Sequence, residues 1–243
     1  MRSLLDTSLV SVSERWKIFS GVALILFSVY LGIGHRTSSS SLLQDPSIST
    51  WIDRKIPLSP IWLIVYSYMY FQTAAPFFVL KRRRSIVRWL LGGGLLYLLA
   101  VPLWILYPIA RPGAEITVVD AWSYWLTVVY RLDPATNCLP SMHVALAFYS
   151  AVYIYHLDKA IGVGLIIGSF FIWYSTLAVK QHWFVDGAVA ILLALMVVFC
   201  LNRFIPWKEA ERDRQARVNH FYWLGAVLLS YAFLFVSYSF FFS

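Results

Sequence analysis

The sequence predicts an all-α fold, a polytopic membrane helical bundle that forms a single domain over residues 1–243. Two observations carry this prediction. Of the 243 residues, 60% are hydrophobic and only 13% are charged, about half the charge of an average soluble domain. Several apolar runs also approach ~20 residues, the length that crosses a bilayer as a helix. The bilayer is therefore the first expected partner.

The net charge of +8 does not indicate a nucleic-acid partner. The basic residues cluster in short segments between the apolar runs, which is typical of cytoplasmic loops. The run at residues 81–84, followed by Arg88, is interpreted as such a topology signal. The two cysteines, Cys138 and Cys200, lie in different contexts and predict neither a disulfide framework nor a metal site.

Six apolar runs predict a six-helix core within residues 18–202. They lie at residues 18–34, 58–80, 89–109, 141–156, 161–179 and 182–201. The first is expected to be a retained helix, because no small-residue cleavage site follows it. The second tolerates proline near its ends, and the third contains Gly92-Gly93-Gly94, a triplet that favours close helix packing.

Two further segments follow the predicted core. Residues 203–220 are charged and predict a cytoplasmic linker. Residues 221–243 carry no charge and predict an additional C-terminal transmembrane helix.

Two polar stretches, residues 35–56 and 111–140, separate helices of the core. The second carries apolar residues at helical spacing, which predicts an amphipathic helix that lies in the membrane interface and roofs the neighbouring helix ends. These residues are Trp122, Trp125, Leu126, Val129 and Tyr130. The first stretch fits either a short interfacial helix or a loop with scattered apolar residues. Asp133 and Asn137 are expected to form a turn.

The distribution of lysine and arginine predicts a cytoplasmic N-terminus. In that orientation the inner segments carry 14 of the 20 basic residues and the outer segments carry the other 6, the expected bias. Arg111 and two histidine-containing stretches then fall on the same outer face, which is periplasmic, extracellular or lumenal. Three separate helix ends are expected to converge there.

These two histidine stretches combine residues suited to phosphate chemistry. Pro140 ends any preceding helix, and Ser141 is a natural N-cap for the next. His143 then lies in the first turn, beside free backbone N–H groups and the positive end of the helix dipole, which suits a phosphate. His182 and Asp186 are four residues apart, so on a helix they share a face.

The residue types suggest how the work is divided. Asp186 would hold one nitrogen of His182 protonated and leave the other free to attack phosphorus. His143 would then act as the general acid, and as the base for the incoming alcohol or water. Arg111 supplies a planar fork for phosphate oxygens, and Ser141 adds a neutral donor.

A zinc site is the rival interpretation of the two histidines and the aspartate. The sequence contains no H-E-x-x-H motif and no cysteine–histidine cluster, and the neighbouring cations oppose metal binding. We therefore expect no metal and no other cofactor.

The same residues carry a family resemblance. Pro140-Ser141-Met142-His143 resembles the P-S-x-H motif of the type 2 phosphatidic acid phosphatase superfamily. The stretch from His182 to Asp186 resembles its last motif, H-x-x-x-D, with Ser175 seven residues before the histidine, and Arg111-Pro112 resembles the end of its first motif. The resemblance covers about residues 111–190.

The resemblance implies a metal-free phosphohistidine mechanism on lipid phosphates at the bilayer surface. By matching position, His182 would be the nucleophile, Asp186 its partner and His143 the general acid. Arg111 and Ser141 would bind the phosphate.

The chain departs from the family pattern at two positions where the family has a cationic residue. The first-motif lysine falls at Trp104 and the last-motif arginine at Thr176. Lys180 is a candidate replacement for one of these phosphate ligands. Thr176 and the aromatic residue after His182 resemble the branch of inositol phosphorylceramide synthases and sphingomyelin synthases, which favours transfer of a phospho-headgroup to a lipid alcohol.

Two alternatives stay open. The first is a simple lipid-phosphate phosphohydrolase, with water in place of the lipid alcohol. The second is a non-enzymatic transporter or scaffold, although the ionisable residues are predicted at helix ends rather than at mid-bilayer.

Overall fold

The computed structural model describes residues 8–38 and 48–206, which fold into an all-helical bundle. Its α-helices are α1 (Val12–Thr37), α2 (Trp51–Lys55), α3 (Leu63–Val79), α4 (Arg83–Leu106), α5 (Ala121–Leu132), α6 (Met142–Tyr155), α7 (Lys159–Ala178) and α8 (Phe184–Phe204). A 3-10 turn, Pro60–Trp62, leads into α3. Residues 221–243, the predicted seventh helix, and most of the predicted linker lie outside the described residues.

Six of these helices correspond to the six predicted apolar runs. Within the described ranges, α1, α4, α7 and α8 are long and apolar enough to cross a membrane, whereas α3 and α6 are shorter, with 17 and 14 residues. The predicted all-α membrane bundle is confirmed. The interfacial helix expected around Trp125 is α5, and the short helix that was one of two options for residues 35–56 is α2.

Helix α6 lies at the centre of the bundle. Eleven of its 14 residues are buried, and it packs against α3, α4, α7 and α8. Ala145, Ala147 and Ala151 have no exposed surface, because small side chains let neighbouring backbones approach. At Gly92 of α4 a Cβ atom would overlap the Tyr149 hydroxyl, so glycine is needed there.

The other two glycines of the predicted packing triplet do not make such contacts. A Cβ atom at Gly93 or Gly94 would meet nothing within 4 Å. The expectation of close packing is therefore correct for Gly92 alone.

Two helices begin earlier than their apolar runs. Helix α1 begins at Val12 because Ser11 caps it by accepting a hydrogen bond from the Glu14 amide. Helix α4 begins at Arg83, so the basic run is partly helical. Arg84 donates to the Pro206 carbonyl and Arg88 to the Ile205 carbonyl. Interpretation of this run as a topology signal alone was incomplete, since two of its arginines also satisfy carbonyls that follow α8.

Six helix ends meet at the end of the bundle opposite the basic run. The Ser141 amide, before α6, donates to the Asp186 carbonyl in the first turn of α8, and the Ser59 amide, before α3, donates to the Ala178 carbonyl at the end of α7. The segment after α4 pairs with Asn137 through an isolated bridge. The end of α1 lies against the same region through Gly34. Helix α5 packs over this end against the 3-10 turn and α3.

We predict that Arg88→Met destabilises the protein by about 1–3 kcal/mol. The change leaves the Ile205 carbonyl and the Asn202 side chain, 2.7 and 2.6 Å from the guanidinium, without a buried donor. Arg83→Met is the matched control, since Arg83 makes a partly exposed ion pair with Glu14 and its loss is expected to be under about 1 kcal/mol. Thermal unfolding in detergent measures both. Equal losses of stability in the two variants would contradict a larger contribution from the buried hydrogen bonds of Arg88.

Candidate active site

Three residues singled out in the sequence, His143, His182 and Asp186, form one hydrogen-bonded chain. His143 Nδ1 lies 3.1 Å from His182 Nε2, and His182 Nδ1 lies 3.2 Å from Asp186 Oδ2. The two histidines expose 6% and 3% of their surface and Asp186 exposes none. The fold therefore assembles two imidazoles and a carboxylate from α6, the turn before α8 and the first turn of α8, in a setting largely closed to bulk water.

Tyr66 of α3 extends this chain by one group that sequence reasoning missed. Its hydroxyl lies 2.7 Å from His143 Nε2, so both ring nitrogens of His143 have a partner. Tyr66, Tyr68 and Tyr70 alternate in the same apolar run and look alike in the sequence. Only the packing of α3 against α6 distinguishes Tyr66 from the other two tyrosines.

His182 lies before α8 rather than on it, so the expected shared helix face was wrong. The contact with Asp186 forms by another route. Lys180 adopts a left-handed φ of 56°, and the Thr176 carbonyl accepts the amides of Gln181 and His182. This turn reverses the chain after α7. Asp186, in the first turn of α8, then folds back and accepts both the Trp183 amide and the His182 ring.

Ser141 is the N-cap of α6, as predicted. Its hydroxyl oxygen accepts from the Val144 amide at 3.4 Å, and its own amide donates to the Asp186 carbonyl at 3.2 Å. The cap places His143 in the first turn of α6, near unpaired amides that favour an anion. A phosphate-binding role for Ser141 stays a prediction.

The Arg111 guanidinium is held by protein oxygens. It donates to the carbonyls of Tyr130 and Asp133 at 2.9 and 3.2 Å and to Gln181 Oε1 at 3.3 Å. It also stacks on the Tyr130 ring at 4.0 Å. Arg111 thus ties the end of α5 to the residue before His182. These bonds use three of the five guanidinium N–H donors. Phosphate binding by Arg111 stays a prediction.

Lys180 lies beside His182 but points toward α2. Its ammonium group donates to the carbonyls of Asp53 and Ile56 at 3.1 and 2.5 Å, which closes the C-terminal end of that short helix. Burial lowers the pKa of Lys180, and nearby Asp53 partly opposes this shift. Its proposed replacement of a missing phosphate ligand stays a prediction.

The two positions where the family has cations are integral to the packing. Trp104 has no exposed surface and packs edge-on against Tyr30 and Tyr97. Thr176 is also fully buried, with its hydroxyl bonded to the Trp173 carbonyl. Neither side chain can supply the missing charge.

One group of potential metal ligands occurs among the described residues. The ligand atoms of Cys138, His182 and Asp186 lie within 4.8 Å of one another. Sequence reasoning did not connect Cys138 with the histidine. Burial raises the pKa of the Cys138 thiol, which disfavours the thiolate that a metal requires. This donor set therefore fits a metal poorly.

Two cavities of different character flank the histidine pair. The smaller, about 250 Å³, is lined by His182 together with Arg54, Lys180 and Asp53. The larger, about 710 Å³, is mostly apolar and is lined by His143. The two histidines thus separate a charged pocket from an apolar one.

Asp133 lines the larger cavity, a position that its expected role as a turn former does not describe. Tyr30 of α1 donates to Asp133 Oδ1 at 2.7 Å. Burial raises the pKa of Asp133, while Tyr30, His182 and Arg111 oppose the shift. Asn137 also does more than turn the chain, since its side chain donates to the Tyr30 carbonyl at 2.7 Å.

A comparison with known families identifies the family of the segment that contains most of this site. The family model described as the PAP2 superfamily matches residues 61–210, which is more than half of the chain. The matched span includes Tyr66, His143, His182 and Asp186 and leaves out α1. Neither the curated proteins nor the solved structures gave a match to the chain.

We predict that Asp133→Asn stabilises the protein at neutral pH. Because burial raises the pKa of Asp133 in the folded state, the stability that its protonated form contributes is lost as pH rises above the ordinary value of about 3.9. Asparagine keeps an oxygen for Tyr30 and carries no charge. Thermal unfolding should show a gain at pH 7 that shrinks at pH 4.

Asp120→Asn is the control with the opposite sign. Hydrogen bonds from Ser123 lower the pKa of Asp120, so its ionised form stabilises the fold and removal of the charge should give no gain at pH 7. If Asp133→Asn were less stable than wild type at both pH values, the ionised Asp133 would be a stabilising group.

Proposed function

The chain belongs to the PAP2 superfamily, and from this premise we propose that it is a membrane-embedded lipid phosphatase or phosphotransferase that works through a phosphohistidine. Membership of the superfamily supports a phosphatase-type activity on lipid phosphates. The single observation that carries the proposal is the hydrogen-bonded chain of Tyr66, His143, His182 and Asp186.

The order of the hydrogen-bonded groups determines which ring nitrogen carries each proton. The Asp186 carboxylate is an acceptor only, so His182 Nδ1 carries the proton of that bond and His182 Nε2 keeps its lone pair. His143 Nδ1–H then donates to His182 Nε2. In the neutral state the Tyr66 hydroxyl donates to His143 Nε2. The nucleophilic lone pair and the acidic proton therefore point toward each other.

In the first step, His182 Nε2 attacks phosphorus and the bond from phosphorus to the lipid oxygen breaks. The anionic phosphate favours the imidazolium form of His143, which gives its Nδ1 proton to the departing oxygen. A lipid alcohol leaves, and Asp186 stabilises the positive charge that develops on His182.

The reacting group must enter between the two rings. A nitrogen in position to attack lies about 3–3.5 Å from phosphorus, and the leaving oxygen must be within about 3 Å of its proton donor on the other side. The ring nitrogens are 3.1 Å apart. Substrate binding is therefore expected to replace this hydrogen bond and to move the two rings apart.

In the second step, His143 takes a proton from the acceptor, whose oxygen attacks the phosphohistidine and releases His182. Water as the acceptor gives free phosphate. A lipid alcohol as the acceptor gives a new phospholipid. Thr176, which resembles the synthase branch of the family, and the two missing cations favour this second outcome. We further propose that this chemistry occurs at the outer face, since the basic run lies at the opposite end of the bundle.

We predict that His182→Ala abolishes turnover of phosphatidic acid by the purified protein and that His143→Ala lowers it by about 10²–10⁴-fold, the usual contribution of a general acid. His156→Ala is the matched control, because His156 lies at the far end of α6 and its ring bonds to the Val152 carbonyl in the same helix. Free phosphate and ceramide phosphate are measured with and without added ceramide, because transfer to diacylglycerol would only regenerate phosphatidic acid.

The product formed identifies the acceptor. Phosphate released without any added alcohol indicates a phosphatase, whereas a new lipid that requires the alcohol indicates a transferase. If His182→Ala retained wild-type turnover in both assays, the proposed function would be wrong.

Tyr66→Phe tests the last member of the chain. Loss of one buried hydrogen bond to His143 is expected to lower kcat by roughly 3–10-fold and to leave KM nearly unchanged, because Tyr66 orients the acid rather than binding phosphate. Tyr68→Phe serves as the control from the same helix. A change in KM alone would contradict a positioning role.

A further inference from the structure

The larger cavity is built as a site for a lipid. Its volume of about 710 Å³ lies within the range of ligand sites, and it is enclosed by α1, α3, α4 and α6 under the end of α5. Its walls are mostly apolar, with Leu26, Met69 and Leu146 among the lining residues. Helix α1 lies outside the span matched by the family, so part of this wall is not described by that match.

The polar end of the cavity carries a carboxyl group next to the catalytic acid. Asp133 and His143 both line it, and Tyr30 fixes one carboxyl oxygen at 2.7 Å. Tyr66 also acts on this carboxyl as a hydrogen-bond donor. A carboxylate offers about four acceptor positions, so beyond these two tyrosines the group retains capacity to accept a hydrogen bond from a ligand hydroxyl that enters this end.

Charge separates the two sides of the histidine pair. A carboxylate and apolar walls repel a phosphate, whereas in the small pocket beside His182 two cations, Arg54 and Lys180, outweigh the single carboxylate of Asp53. Burial of an anionic phosphate on the Asp133 side would place like charges close together in a medium of low polarity. The His143 side thus fits an uncharged alcohol, which is the group that His143 protonates or deprotonates.

We propose that this cavity binds the lipid-alcohol part of the substrates, with Asp133 accepting a hydrogen bond from the hydroxyl of that alcohol and so determining specificity for it. The proposal rests on the proposed function for its chemistry. The occupant is a neutral lipid with a free hydroxyl at its polar end, such as a diacylglycerol or a ceramide. It is the product that leaves in the first step and the acceptor that enters in the second.

The glycine pair Gly93 and Gly94 offers a direct test of occupancy. A Cβ atom at either position would meet no atom within 4 Å, but Gly93 lines the cavity and Gly94 is exposed on the outside of α4. Gly93→Leu should fill the cavity, while Gly94→Leu makes the same chemical change on the same helix without entering it.

The probe is a diacylglycerol with a photoreactive diazirine in one acyl chain, added to the full-length protein in detergent micelles. In wild type and Gly94→Leu we expect labelling of cavity residues such as Leu26 and Leu146, located by mass spectrometry. In Gly93→Leu this labelling should fall at least about fivefold. Equal labelling in all three proteins would overturn the assignment of the cavity.

Competition with the probe tests the role of Asp133. Unlabelled diacylglycerol should displace the probe about tenfold better than its 3-O-methyl ether, which lacks the hydroxyl. The preference should vanish in Asp133→Leu, and Asp133→Asn, which keeps an oxygen acceptor, should retain part of it. A preference that is the same in wild type and Asp133→Leu would overturn the specificity role.

Turnover separates this inference from the proposed function. Gly93→Leu should raise KM for a long-chain phosphatidic acid about tenfold, whereas Gly94→Leu should leave KM and kcat for the same substrate unchanged. Cavity labelling without any turnover would sustain the binding site and reject the enzyme. Turnover that depends on His182 but not on Gly93 or Asp133 would sustain the enzyme and reject the site.

Discussion

The hydrogen bond between His143 and His182 is the contact on which the rest of the site depends. It joins the first turn of α6 to the turn before α8, and it sets both the direction of protons along the chain and the boundary between two cavities. A buried imidazole without a partner would be costly. The site therefore holds together only because Tyr66 and Asp186 satisfy the outer nitrogens of the pair.

The bundle supports this contact through the burial of α6. Its alanines allow α3, α7 and α8 to approach, and this approach carries Tyr66 to His143. The connecting segments then fix the turn that presents His182. Lys180 holds α2, and Arg111 ties α5 to Gln181. Basic residues that were candidates for phosphate binding thus have structural roles as well.

The sequence was sufficient for the elements that periodicity and length encode. The apolar runs predicted the six core helices, and helical spacing predicted α5. The Pro140-Ser141 pair predicted the start of α6, because capping is a local property. Tyr66 was missed, and the contact of Asp133 with Tyr30 was not predicted, since both depend on distant segments that pack together. His182 was wrongly placed on a helix because a spacing of four residues also fits a turn that folds back.

The most direct test of the account is the chemical identity of the reaction intermediate. Purified full-length protein would be mixed with ³²P-labelled phosphatidic acid, quenched in alkali within milliseconds to seconds, and analysed by mass spectrometry. The account predicts an alkali-stable, acid-labile phosphate on the ring of His182, absent from His182→Ala. Phosphate attached to another residue, or steady turnover without any phosphorylated protein, would contradict it.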